Sequence, residues 1–261
     1  MSVSSVPLDD RGLLLGDGLF ETLLWRAGAL VLADEHHERM TSGASALGLD
    51  APTLAEFSAQ AAEAVRAAGL AASRAAVRVT LTAGSGGRGL GRPEPTRPRL
   101  FATAAAAPPP QTSARLIVSS LQRNPGSLTS RFKTLSYVDG VAARREAALA
   151  GADEAVMLNP AGHVASATAA NLFWIEDTVV HTPAPETGCL PGTVAAQVRA
   201  AARRLGLELR EVHASPVALA AADAIFLTNS LIGVRPAHVG PTANASHPLI
   251  ERLAAAVAAY V

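Results

Sequence analysis

Apolar residues recur along the chain with two different periods, and the switches between them mark out the elements. Leu54, Phe57, Ala61, Ala64 and Val65 fall on one face of a helix. Thr53, followed three residues later by Glu56, reads as a capping box that opens it, and Gly69 closes it. From Val77 to Leu81 the apolar residues alternate with Arg78 and Thr80, which predicts a strand, and a glycine-rich loop from Gly84 to Gly91 follows. Between Ala104 and Pro110 a run of alanines meets three prolines, which can neither donate to a ladder nor continue a helix. A linker is expected there.

Beyond it, Leu116 to Ser119 reads as a strand, Leu135 to Ala150 as a helix, and Glu154 to Leu158 as a strand running into an Asn159–Gly162 turn, hence a hairpin. Strands are predicted at Leu172–Ile175, Thr178–His181, Leu207–Val212 and Ala224–Thr228. Val194, Val198, Ala201 and Leu205 give helical spacing over Thr193–Leu205, and Leu249, Ile250, Leu253 and Val257 mark a terminal helix. The expectation is an α+β chain without internal repeats. It has a small N-terminal domain over residues 1–104, a Pro-rich linker over 105–113 and a larger C-terminal domain over 114–261 with a mixed, twisted sheet.

Composition removes several classes of function. With 49% hydrophobic and 17% charged residues the chain lies far from the disordered regime. Lys plus Arg and Asp plus Glu are 22 each, so no global positive field exists to hold a nucleic acid or an anionic membrane. Cys189 is the single cysteine, which excludes an internal disulfide and the usual multi-Cys zinc sites and suits a reducing compartment. No basic-then-apolar leader and no apolar run of the ~20 residues that a membrane helix needs is present, so a cytoplasmic location is expected.

Gly84-Ser85-Gly86-Gly87-Arg88-Gly89 matches G-x-G-x-x-G after a strand. The residues that follow include Pro93 and Pro95 and cannot open the helix that would hold a pyrophosphate, so a flexible surface loop is the better reading. His36, His37 and Glu38 invite a metal, but adjacent helical residues diverge where chelating pairs want i, i+3 or i+4 spacing; no metal is expected.

Ser130-Arg131-Phe132-Lys133-Thr134-Leu135-Ser136-Tyr137 carries more information, because a lysine with apolar neighbours stands here in an arginine-dominated chain. Apolar surroundings disfavour an ammonium and free the amine for Schiff-base chemistry. Taken alone, the segment is better explained by a solvated lysine at a helix start. Further segments decide between the two. Asp10-Arg11-Gly12 with Gly16–Thr22, His37–Met40, Lys133–Tyr137, Ala169–Trp174, Thr182-Pro183 with Leu190-Pro191-Gly192, and Thr228-Asn229-Ser230 follow one another in an order and spacing that resembles the class IV pyridoxal-phosphate-dependent aminotransferase family. Within it the resemblance is greatest to the aminodeoxychorismate lyases.

The resemblance implies a D-amino-acid-aminotransferase-like fold of two domains with the cofactor, pyridoxal 5'-phosphate, in the cleft between them. It implies a homodimer and a small amino-acid-like substrate. Lys133 becomes the Schiff-base lysine and general base. Arg39, Thr193, Val194, Asn229 and Ser230 become the phosphate ligands, which agrees with a dianion's need for a guanidinium and for donors at a helix N-terminus. Tyr137 suits either a hydrogen bond to the cofactor's ring oxygen or a core position on the helix's inner face. The reaction implied is conversion of 4-amino-4-deoxychorismate to 4-aminobenzoate and pyruvate. A branched-chain or D-amino-acid transaminase, and a homologue that keeps the fold without the cofactor, are the alternatives.

At one position the chain departs from the family. Five residues before the asparagine of Asn-Leu-Phe the family carries a glutamate that keeps the pyridine nitrogen protonated, and here the residue is Ser166. A hydroxyl donates to a neutral ring nitrogen but brings no negative charge, which weakens the ring as an electron sink and disfavours full transamination relative to elimination. Glu154 and Glu176 are the carboxylates that could take its place.

Overall fold

Asp10 caps the first helix: its carboxylate accepts from the Gly12 amide at 2.8 Å and begins α1 (Arg11–Leu15). The computed structural model describes residues 5–87, 89–109, 112–240 and 247–260 and divides into two units. One comprises Met1–Ala107 with Phe132–Ser136, the other Pro108–Arg131 with Tyr137–Val261. A single cut at the proline run does not anticipate that the five residues around Lys133 fold with the first unit.

After α1 the first unit continues with β1 (Gly18–Arg26), β2 (Ala29–Leu30), α2 (Ala33–Leu47), α3 (Leu54–Ala67), β3 (Ala75–Thr82) and β4 (Arg99–Ala106). The Thr53 and Glu56 side chains cap α3 reciprocally, as the sequence predicts. The strands form an antiparallel sheet in the order β2-β1-β3-β4. Alternation turns Leu19 and Leu23 of β1 and Val77, Val79 and Leu81 of β3 toward Met40 and Ala44 of α2 and Phe57, Ala61 and Val65 of α3. The alanines expected to begin a linker are instead paired, Ala104 with Val77 and Ala106 with Ala75, because β4 extends along the whole of β3. Pro110 and Gln111 lie outside the described residues.

Described residues of the glycine-rich loop are bound by a distant arginine. Arg11 is 3% exposed, and its guanidinium donates to the carbonyls of Gly89, Leu90 and Gly91 at 3.3, 2.9 and 3.0 Å. The cation thus satisfies backbone acceptors that a loop would otherwise leave to water. Asp17 balances it, pairing with Arg11 Nε at 2.9 Å and with Arg92. Arg88 lies outside the described residues.

The second unit runs β5 (Ala114–Gln122), α4 (Leu128–Arg131), α5 (Val138–Leu149), β6 (Glu154–Leu158), β7 (Val164–Ala167), β8 (Asn171–Glu176), β9 (Val179–Pro183), α6 (Thr193–Arg204), β10 (Leu209–Val212), α7 (Val217–Ala221), β11 (Ala224–Asn229), β12 (Gly233–Val239) and α8 (Pro248–Val257). Its eight strands form one mixed sheet in the order β10-β9-β8-β11-β12-β5-β6-β7, with parallel pairs β10/β9, β12/β5 and β5/β6. Phe173, Ile175 and Phe226 pack on one face against Val198 of α6 and Leu253 of α8; Leu172, Trp174, Ile225 and Leu227 fill the other. The expected hairpin is β6–β7, where the Asn159 side chain accepts from the amides of Ala161 and His163, both at 3.0 Å. α5 begins at Val138 and not at Leu135, because the amide of Leu135 bonds to the Gly18 carbonyl of the first unit's sheet.

Candidate active site

Only the C-terminal part of β1 pairs with β2, at Trp25 and Arg26, so the donors and acceptors along Gly18–Phe20 need another partner. The segment around Lys133 supplies it. Phe20 N donates to the Lys133 carbonyl at 2.9 Å, Leu135 N donates to the Gly18 carbonyl at 3.0 Å, and Leu19 and Thr134 form an antiparallel bridge. The backbone of Lys133 is thereby fixed as a short extra strand. Its side chain is half-buried, with Nζ 4.4 Å from the centre of the Phe20 ring, at cation–π distance. Lys133 is, moreover, the one lysine among the 22 basic residues of the sequence.

On the helix-facing side of β1 sits a charged cluster that the sequence reading missed. Glu21, 1% exposed, accepts from Arg39 Nε at 2.8 Å and from Nη2 at 2.5 Å, and lies 2.6 Å from His36 Nδ1. Burial alone would raise the Glu21 carboxyl, but the Arg39 guanidinium and the His36 hydrogen bond override it and bring the group down to about 2. Burial lowers His36 despite Glu21, so the imidazole is neutral and donates Nδ1–H to the carboxylate. His37 turns to a different partner, the Pro52 carbonyl, at 2.8 Å. A signal for this cluster was present in the pattern: a glutamate stands between Leu19 and Leu23 on the period-two face that becomes core, and His36 and Arg39 lie three apart on α2.

The remaining predicted residues belong to the second unit, where three turns meet. Asn171 Nδ2 donates to the Leu190 carbonyl at 2.8 Å, Asn229 Nδ2 to the Ala169 carbonyl at 3.1 Å, and the hydroxyls of Thr193 and Ser230 stand 3.4 Å apart. Asn229 Oδ1 accepts from the amides of Leu231 and Ile232, so this side chain shapes the turn around Ser230 and does not extend from it. Helix α6 opens on Gly192 without a side-chain cap, with Thr193 and Val194 buried in its first turn. Only glycine fits at 192, since a Cβ there would lie 1.9 Å from Asn171 Oδ1. Gly192→Ala is accordingly expected to displace Asn171 and lower stability by ~1–3 kcal/mol, measured as the shift of the urea midpoint.

Ser166 on β7 is 4% exposed and its hydroxyl has no hydrogen-bond partner among the described residues. The carboxylates that could take the family glutamate's place are engaged elsewhere. Glu154 bonds the Thr168 hydroxyl and pairs with Arg144 at 3.1 Å; it shares a face of β6 with Val156, whereas Ser166 lies opposite Met157 and shares the other. Glu176 accepts from the Trp174 indole at 2.9 Å. Tyr137 is half-buried at the start of α5, whose Gly140 approaches the Thr168 carbonyl. Arg123, also missed by the sequence reading, donates to the carbonyls of Gly188 at 2.5 Å and Ser130 at 3.2 Å, and burial lowers it.

Taken by itself, the second unit offers a phosphate a helix start without a side-chain cap beside two hydroxyls, and offers a pyridine ring a buried hydroxyl without a hydrogen-bond partner among the described residues. The first unit, taken by itself, offers an aldehyde an amine on an aromatic face and carries a fixed guanidinium. Among known proteins, the sequence profile of the amino-transferase class IV family matches residues 18–239. A protein of Methanocaldococcus jannaschii, provisionally named a branched-chain-amino-acid aminotransferase, is 31% identical over 237 residues, covering 89% of this chain and 82% of that one. The aminodeoxychorismate lyase of Bacillus subtilis is 26% identical, covering 87% and 78%. The crystal structure of 4-amino-4-deoxychorismate lyase from Pseudomonas aeruginosa matches with a TM-score of 0.86 at 28% identity, covering 98% and 95%.

Proposed function

Because the chain belongs to the class IV aminotransferase family, whose members depend on pyridoxal phosphate, we propose that it binds this cofactor through Lys133 and converts 4-amino-4-deoxychorismate to 4-aminobenzoate and pyruvate. The observation that carries the lyase reading is the buried Ser166 hydroxyl, without a hydrogen-bond partner among the described residues and with Glu154 and Glu176 engaged elsewhere, at the position that faces the ring nitrogen in the family. Pyridoxal phosphate, when bound, supplies an electron sink next to the substrate nitrogen. With the Ser166 hydroxyl in place of the family's carboxylate, that sink would be shallower. Prompt expulsion of a leaving group is favoured over the longer-lived charge that transamination needs.

The chain's own residues divide the remaining work. Lys133 would hold the cofactor through its Nζ and, as the free amine, would accept the proton from the substrate carbon that bears the amino group, whose loss accompanies aromatisation of the substrate and departure of pyruvate. Phe20 keeps the amine on an apolar surface. Arg39, the α6 amides at Thr193 and Val194, and the hydroxyls of Thr193 and Ser230 bind the phosphate, and Tyr137 orients the ring. In this reading the enzyme works in the cytoplasm as a homodimer.

A branched-chain transaminase is the second reading, supported by the Methanocaldococcus relative. Incubating cofactor-loaded protein with 4-amino-4-deoxychorismate, and separately with L-leucine or D-alanine plus 2-oxoglutarate, distinguishes them. Pyruvate and 4-aminobenzoate in the first mixture alone are expected; glutamate formed in the second, with no 4-aminobenzoate in the first, overturns the lyase reading. Ser166→Glu is expected to raise the ratio of transaminase to lyase turnover about tenfold or more, by returning a charge to the ring nitrogen. An unchanged ratio counts against the role given to Ser166.

A further inference from the structure

Consecutive residues of β1 serve the two parts of the first unit's site. Phe20 supports the Lys133 amine from one face of the strand, and Glu21 grips Arg39 from the other. Glu21 stands in the core between Leu19 and Leu23, where a leucine would pack without the desolvation that a buried carboxylate suffers. The carboxylate does what an apolar residue cannot. Its two oxygens take Nε and Nη2 of one guanidinium, which fixes the plane of a group otherwise carried on a long flexible stem. His36, one turn before Arg39 on the same face of α2, holds Glu21 Oε2 at 2.6 Å and so fixes the carboxylate in turn.

We propose that Glu21 is a positioning residue for the cofactor's phosphate: it holds the Arg39 guanidinium in the orientation from which that arginine binds the phosphate, acting only through Arg39. The inference rests on the reading of Arg39 as a phosphate ligand. It gives the buried Glu21–His36–Arg39 cluster a function that its cost to folding would otherwise leave unexplained, and it makes β1 the common frame for the amine and the arginine.

The test is a titration of apoprotein with pyridoxal phosphate, followed by absorbance, for the wild type, Glu21→Gln, Arg39→Met and the double variant, with Val65→Ala as a control that loosens the same core. Glu21→Gln is expected to raise the Kd about 10- to 100-fold, as loss of a supporting hydrogen-bond partner does at other sites. Arg39→Met should raise it at least as much, and the double variant should stay within about threefold of Arg39→Met alone, because the two residues act as one unit. Val65→Ala should lower the urea midpoint and leave the Kd within about twofold of wild type, since it only removes core volume. Glu21→Asp, which keeps the charge but withdraws it by one methylene, should give an intermediate Kd and replaces Glu21→Gln if that variant does not fold. A wild-type Kd in Glu21→Gln beside a weakened Arg39→Met overturns the inference alone. So does a double variant that multiplies the two single effects, or a Val65→Ala Kd that moves as far as that of Glu21→Gln. A wild-type Kd in Arg39→Met overturns the reading of Arg39 and the inference with it.

Discussion

Replacing Lys133 by alanine is expected to abolish the visible absorbance of the bound cofactor and to reduce 4-aminobenzoate formation by at least ~10³-fold, because one amine is both the covalent attachment and the proton acceptor. The rest of the chain offers no substitute, since Lys133 is its one lysine. The change should leave folding nearly intact. The segment is held to β1 by its backbone, through the Phe20–Lys133 and Leu135–Gly18 bonds, and these survive truncation of the side chain. The checks are a visible spectrum of the protein mixed with pyridoxal phosphate, a product assay and a urea melt of the same preparation. A Lys133→Ala protein that still turns substrate over at a tenth of the wild-type rate would remove the lysine from the mechanism.

Acid should unfold the protein through the cluster behind β1. The Glu21 carboxyl lies at about 2 in the folded chain against an ordinary 4.5, so its stabilisation is complete above pH 4.5 and is lost as the pH falls toward 2; the loss is roughly 3 kcal/mol. His36 adds to this from higher pH. Burial holds it below its ordinary 6.5, so the unfolded chain takes up a proton that the folded one resists. Urea midpoints measured from pH 7 to pH 2.5 should fall modestly below 6.5 and more steeply below 4.5. In Glu21→Gln the steep part should flatten, from a starting stability lower by about 3–5 kcal/mol because Arg39 loses its buried partner. A pH profile that is the same in both proteins would mean that other carboxylates control acid unfolding.

Much of this architecture is written in local patterns. Thr53 and Glu56 cap α3 in the sequence as in the structure, β6 spans Glu154–Leu158 as predicted, and α6 begins at Thr193 where the pattern starts it. The pattern fails where partners are distant. β1 is largely buried on both faces, so Gly18–Arg26 gives no clean alternation of apolar and polar residues, and the alanines of β4 resemble a linker until β3 is there to pair with them. The glycine loop looks mobile until Arg11, more than seventy residues earlier, is seen to hold its carbonyls. The site shows the same division. Lys133, Arg39 and Ser166 stand out as candidates because ordered segments resemble a family. Glu21 shows in the sequence only as a polar break between Leu19 and Leu23, and its tie to Arg39 becomes visible when α2 brings His36 and Arg39 against it.

The most direct measurement is the location of the covalent cofactor. Protein loaded with pyridoxal phosphate and reduced with borohydride should, after digestion and mass spectrometry, carry one phosphopyridoxyl group, on Lys133. A label confined to the N-terminal amine, or no label on a protein that forms 4-aminobenzoate at its full rate, would contradict the account.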